Sequence, residues 1–192
     1  MMRSLRLRLT GLYALLSALV LAASLVAGAL LEARDLRQAG DESLLDAAAA
    51  VADRLAGATT LADSWLAEQE QAYECLYYLE DNDVPLEHTE KNGSAALLTC
   101  EALDRCAALG AGQSAVFGFE AADGEVWRCA ALALAPANLR HGPRLLLALR
   151  STAPLNAQLA GVAVKYALLW AGGTALLAAA GALLAHIALR SE

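Results

Sequence analysis

At 192 residues the chain holds material for about one domain. Hydrophobic residues make up 58% of it and its mean hydropathy is +0.43, both high for a soluble domain of that size. Its formal net charge is −7, with 14 Lys and Arg against 21 Asp and Glu and no basic patch, which argues against a nucleic-acid partner.

The chain opens on a short basic arm, residues 1–8, carrying Arg3, Arg6 and Arg8 and no acid. Leu9 to Leu31 then give 23 consecutive residues without a charge, and Tyr166 to Ala185 give 20 more. At a rise of about 1.5 Å per residue both runs are long enough for a hydrocarbon core about 30 Å thick. Neither has the polar stripe of a core helix, so transmembrane helices are expected over 9–31 and 166–189. Between them, Glu32 to Lys165 hold 20 acids and 10 Lys or Arg. Basic flanks stay in the cytoplasm, which puts residues 1–8 and the tail 190–192 inside and residues 32–165 outside. "AGA" at 27–29 has the small-residue pattern of a signal-peptidase site, but the apolar run exceeds the about 7–15 residues of a signal core.

In the middle region, "GDES" at 40–43 predicts a helix break and restart, with Asp41 or Ser43 as N-cap. Leu44, Ala48, Val51 and Leu55 follow at heptad-like spacing, as a stripe for the chain's own core or for a second copy. A short helix is expected from Leu61 to Gln71. "YECLYYLE" then alternates, with Tyr73, Cys75, Tyr77 and Leu79 on one face, and predicts a strand. "YYLEDNDVPL" at 77–86 reads as a hairpin corner, with "VPLEH" as a short edge strand that tolerates its proline. Ser94 is placed as the cap of a helix running to about Leu109, where Gly110 ends it. "SAVFGFE" and "EVWRCAALAL" predict strands joined by a two-residue turn at Asp123-Gly124, and "PRLLLALR" a central strand. Pro154 begins the helix that becomes the second span. The fold class is α+β, with an antiparallel sheet behind a long N-terminal helix and a membrane helix on either side.

Cys75, Cys100, Cys106 and Cys129 all fall in the middle region, and an even count in an oxidising compartment predicts two disulfides. On a helix over 94–109, Cys100 and Cys106 stand about 9 Å apart along the axis, beyond the about 7 Å between Cα atoms that a bridge allows. Two pairings remain: Cys75–Cys100 with Cys106–Cys129, or Cys75–Cys106 with Cys100–Cys129. Free thiols are the alternative. Cysteine spacing fits no zinc pattern, and "DND" at 81–83 lacks the glycine and the glutamate of a calcium loop, so no metal and no cofactor is expected. His88 is placed on the edge strand, His141 in a loop and His186 near the cytoplasmic end of the second span. No catalytic triad or phosphate-binding glycine loop is present. Ala171, Ala175, Ala178 and Ala182 form a small-residue face suited to helix packing. Tyr77, Tyr78, Trp127 and Arg128 are candidate ligand-binding residues, because aromatic faces beside a guanidinium can hold a small ion.

The Arg-rich start "RSLRLRLT", a span, an acidic outer domain and a second span resemble the input half of bacterial two-component sensor histidine kinases. The strand order is similar to the PAS-like extracytoplasmic sensor folds called PDC or Cache: a long helix, two strands, a helical insert and three strands. The resemblance implies a ligand-sensing module whose second span carries the signal. Its partners would be a small molecule or an extracytoplasmic protein outside, and a second copy along the spans and juxtamembrane helix. The chain ends at "HIALRSE" without a HAMP linker, phosphoacceptor motif or nucleotide-binding motif, so it is expected to be an isolated input module or a fragment, and not an enzyme by itself. A different class also fits: a membrane-tethered structural or partner-binding protein within a membrane complex.

Overall fold

The computed structural model describes residues 2–57, 61–81, 84–85, 87–122, 124–134 and 145–190. The chain divides into two compact units, one reaching Leu36 and resuming at Asn156, the other Arg37–Leu155.

The first unit holds the N-terminal part of helix α1 (Met2–Gly57) and most of helix α6 (Ala153–Arg190). Both are long and apolar enough to cross a membrane, over Gly11–Leu55 and Ala153–Leu183. Leu12, Leu19 and Leu168 lie 60% or more exposed, an arrangement that water penalises and lipid tails accept. Two apolar helices thus flank a small sheet domain, as in a two-pass membrane protein. The helices approach each other at glycines: a Cβ on Gly28 would sit 3.1 Å from the Tyr166 ring, and one on Gly173 would sit 2.7 Å from Leu21 Cδ2. Lys165 Nζ donates to both oxygens of Glu32, at 3.0 and 2.9 Å. The alanine face at 171, 175, 178 and 182 points away from this contact and is exposed.

The second unit is a sheet between helices. After α1 come helix α2 (Asp63–Tyr73), strands β1 (Leu76–Asp81) and β2 (Val84–Pro85), and helices α3 (Glu87–Lys91), α4 (Ser94–Leu97) and α5 (Cys100–Ala107). Strands β3 (Ser114–Glu120), β4 (Val126–Ala133) and β5 (Leu145–Ser151) complete an antiparallel sheet of order β2-β1-β5-β4-β3. The first and last long strands therefore lie side by side at its centre. Period-two alternation gives each face its own core. Tyr77, Leu79, Ala130, Leu146 and Ala148 meet Leu44, Ala47, Ala48, Val51 and Leu55 of α1 on one side. On the other, Tyr78, Phe119, Cys129, Ala131, Leu147 and Leu149 meet Ala102 and Cys106 of α5. The heptad-like stripe is thus buried in the chain's own core.

Several local expectations are corrected. Helix α1 runs through Gly40 without a break. A mid-helix glycine costs only about 1 kcal/mol, and two arginines of the sheet grip that turn. Tyr73 ends α2, and Glu74 at φ +50 turns the chain left-handed before β1 begins at Leu76. "VPLEH" splits into the two-residue β2 and the start of α3, so His88 is helical and buried. The single helix over 94–109 is two, because Leu98 and Thr99 are extended and Thr99 accepts the first bond of α5 from Leu103 N–H. Ser94 is no cap: it is fully buried and bonds to β1. The β3–β4 turn closes through Ala121 N–H to Glu125 O at 2.8 Å, a longer turn than the two residues expected, with Gly124 at φ +82. Asp123 and His141 lie outside the described residues, as does much of the corner over 82–86.

Candidate functional site

On the α5 side of the sheet an open cleft of about 570 Å³ lies between the strands and helices α4 and α5. Its floor is one cross-strand row. Pro85 pairs with Glu80, Glu80 with Leu145, and Leu145 with Ala133, so four strands place these side chains together. Ala133 and Ala107 leave the space that larger residues would fill. Leu98 and Leu103 supply apolar wall, while Glu80 and Asp104 supply carboxylates. Tyr78 Oη donates to Glu80 Oε2 at 2.6 Å, which fixes that carboxylate at the edge of the floor. Among the described lining residues none carries a positive charge. Such a cleft suits a small molecule with an apolar body and hydrogen-bond donors or a cationic group.

The wall formed by α4 is held by an unusual device. Among the described residues strand β1 pairs with β2 at Glu80 and Asp81 alone, and the edge at Tyr77 and Leu79 has no backbone partner on that side. Side chains take its place. Thr89 Oγ1 accepts from Leu79 N–H at 2.9 Å and donates to Leu79 O at 3.1 Å. Ser94 Oγ and Asn92 Nδ2 donate to Tyr77 O at 3.0 and 2.8 Å, and Glu70 Oε1 accepts from Tyr77 N–H at 3.0 Å. Glu70 also accepts from Asn92 Nδ2 at 2.6 Å and faces His88 Nε2 at 3.1 Å. The segment from α3 to α4 is thereby sewn to the sheet, with Ala95 and Leu98 set over the cleft. Lys91, held between Asp63 and Glu87 at 2.9 Å each, has its proton affinity raised by those two bonds.

The four residues chosen from sequence do not come together. Tyr77 is fully buried on the α1 side, where its hydroxyl donates to Ala47 O at 3.2 Å and burial pushes its phenol far above the usual range. Tyr78 lines the cleft. Trp127 shares the cleft's face of the sheet but packs beside Phe119, with its buried Nε1 lacking a partner among the described residues. Arg128 lies on the opposite face, in a bidentate pair with Asp41. Neighbours in a strand point to opposite faces, so Tyr77-Tyr78 and Trp127-Arg128 each had to divide. The same rule, applied two residues on from Tyr78, would have found Glu80. Asp104 carried no comparable signal.

All four cysteines are free thiols, so neither two-bridge pairing is present. Cys75 packs on the α1 side and Cys100 is exposed at the start of α5, whereas Cys106 and Cys129 meet on the other side. Burial pushes the Cys75 thiol up to about 11. The contact between the two thiols makes Cys106 the more acidic and, together with burial, makes Cys129 the less acidic. Among the described residues no group of three His, Cys, Asp or Glu is placed to hold a metal. Comparison with protein-family models, curated proteins and solved structures gives no match.

Proposed function

We propose that this chain is the extracytoplasmic input module of a bacterial two-component sensor histidine kinase, with a PAS-like lobe of the PDC or Cache type. The lobe follows the chain order that this fold requires: a long helix, two strands, a helical insert and three strands. The basic arm ahead of the first span favours cytoplasmic termini and an outer lobe. Phosphoryl transfer would belong to a separate kinase core.

One observation carries the signalling role. Leu145 forms part of the cleft floor and begins β5, and β5 passes into α6 across the single residue Thr152. That link is not slack: Thr152 N–H and Oγ1 both bond Val126 O, at 3.1 and 2.7 Å, and Ser151 Oγ accepts from Ala153 N–H at 3.2 Å. A ligand that binds two arrangements of the sheet unequally shifts the balance between them, and a tied link passes that shift to the span. The test is a chimera of this chain with a kinase core whose output responds to ligands found by thermal-shift screening. Replacing residues 152–155 by a Gly-Ser linker should abolish the response while leaving the ligand-induced thermal shift intact. An unchanged response would remove the coupling.

A further inference from the structure

We infer that Cys106 and Cys129 are a redox pair, which closes to a disulfide and locks α5 onto β4 at the inner end of the cleft. The two thiols share one core cluster across the helix–sheet interface, with 2% and 0% exposure. Their roles differ by access. Cys106 lines the cleft, so a reagent entering there meets it first. Cys129 lies on an interior strand, in register with Phe117 and Leu149, fully buried and outside the cleft lining. Cys106 is the thiol whose acidity the contact increases, which favours it as the attacking group.

The lock would matter at this place. Among the described residues, an exposed hydrogen bond from Arg105 Nη1 to Gly118 O at 3.5 Å joins α5 to the strands. The Arg105 guanidinium also lies over the Phe117 ring, 5.7 Å from its centroid, and Ala102, Leu103 and Cys106 add apolar contact. By contrast, α3 and α4 are sewn to β1 by several buried bonds. A covalent tie on α5 would therefore fix the looser wall of the cleft.

The oxidant is a small disulfide. The Cys106 thiolate attacks one of its sulfurs, forming a mixed disulfide and expelling one thiolate, which takes up the proton that Cys106 lost. Cys129 gives up its proton and attacks Cys106 Sγ, expelling the second thiol. Two protein thiols are oxidised, and the small disulfide is reduced to two thiols.

The test uses the full chain in detergent micelles, reduced, freed of reductant and incubated with oxidised glutathione, with peptide mapping by mass spectrometry. A Cys106–Cys129 link is expected, with Cys75 and Cys100 still free. The bridged chain should melt about 5–10 °C higher, a gain reversed by dithiothreitol. Cys129→Ala should stop at a glutathione adduct on Cys106, and Cys106→Ala should leave Cys129 unmodified. The Cys75→Ala/Cys100→Ala variant keeps only the pair and must still link. Failure to link while that variant unfolds cooperatively would overturn the pair, as would a Cys100–Cys106 link. The state of the pair in cells rests additionally on the outer placement of the lobe. Linkage in the purified chain but free thiols in cells would support the pair and count against that placement.

Discussion

Arg128 and Arg150 stand directly opposite each other on β4 and β5, and both guanidinium groups reach the same turn of α1. Like charges in that position repel. Asp41 answers with a bidentate grip on Arg128, while Arg150 donates to Tyr73 O at 2.5 Å, Ser43 Oγ at 3.3 Å and Gly40 O at 3.4 Å. The stretch from Gly40 to Ser43, which reads as a helix break, is instead where α1 is clamped to the sheet.

Asp41→Ala removes the acid and leaves two facing arginines with one fewer counter-charge. A loss of about 1–3 kcal/mol is expected, seen as a lower melting temperature of the full chain by near-ultraviolet circular dichroism. Asp41→Asn keeps the shape but not the charge, and should show most of the loss. A melting temperature unchanged in both variants would show that the clamp is not holding α1.

Thr89→Val is close to isosteric but cannot bond to the edge of β1. Leu79 N–H and O would then lose their buried partner, at a cost of about 2–3 kcal/mol. Amide exchange at Leu79 should accelerate more than exchange at Leu147, on a strand paired from both sides. Equal acceleration at both sites would mean global destabilisation instead of a freed edge.

Stability should fall in alkali before it does so for a domain without buried thiols. Cys75 is raised from 9.0 to about 11 by burial, so the unfolded chain releases this proton first and the folded chain keeps it. The contribution is complete below about pH 9 and is lost as pH rises to about 11, on the order of 2–3 kcal/mol. Tyr77, shifted in the same direction, adds to the slope above its ordinary range. Cys75→Ala should flatten the denaturant midpoint between pH 9 and 11; an unaltered slope would assign it elsewhere.

In the membrane unit, Glu32 and Lys165 mark a level at which the helices meet. With the native cysteines changed to alanine, Glu32→Cys with Lys165→Cys should cross-link within one chain. Adding Gly28→Leu forces the Tyr166 ring away and should cut the yield severalfold. Undiminished cross-linking would place the close approach somewhere other than Gly28.

Long-period features were legible from sequence. Charge-free runs marked the apolar helices, and alternation found β3 and β4 to within one or two residues. What escaped was set by partners distant in the chain. Ser94 has the composition of a cap, but Tyr77 O claims its hydroxyl. Gly40 looks like a stop, but Arg150 bonds its carbonyl. The cleft was half hidden for the same reason. Tyr78 was visible as an aromatic, whereas Glu80 joins Leu145 only once β1 lies against β5. Neither expected two-bridge pairing is present: all four thiols are free, and the sheet puts Cys75 on the face away from Cys106 and Cys129.

The side-chain stitching along β1 also bears on self-association. One rim of the sheet is closed by Thr89, Ser94 and Asn92, and beyond them by a two-residue β2 whose proline has no N–H to offer. Among the described residues that leaves β3 as the rim open to another strand. A sheet with a single sticky border can zip to one twin and then has nothing left to template on, so strand exchange would end at a pair instead of growing into a fibril.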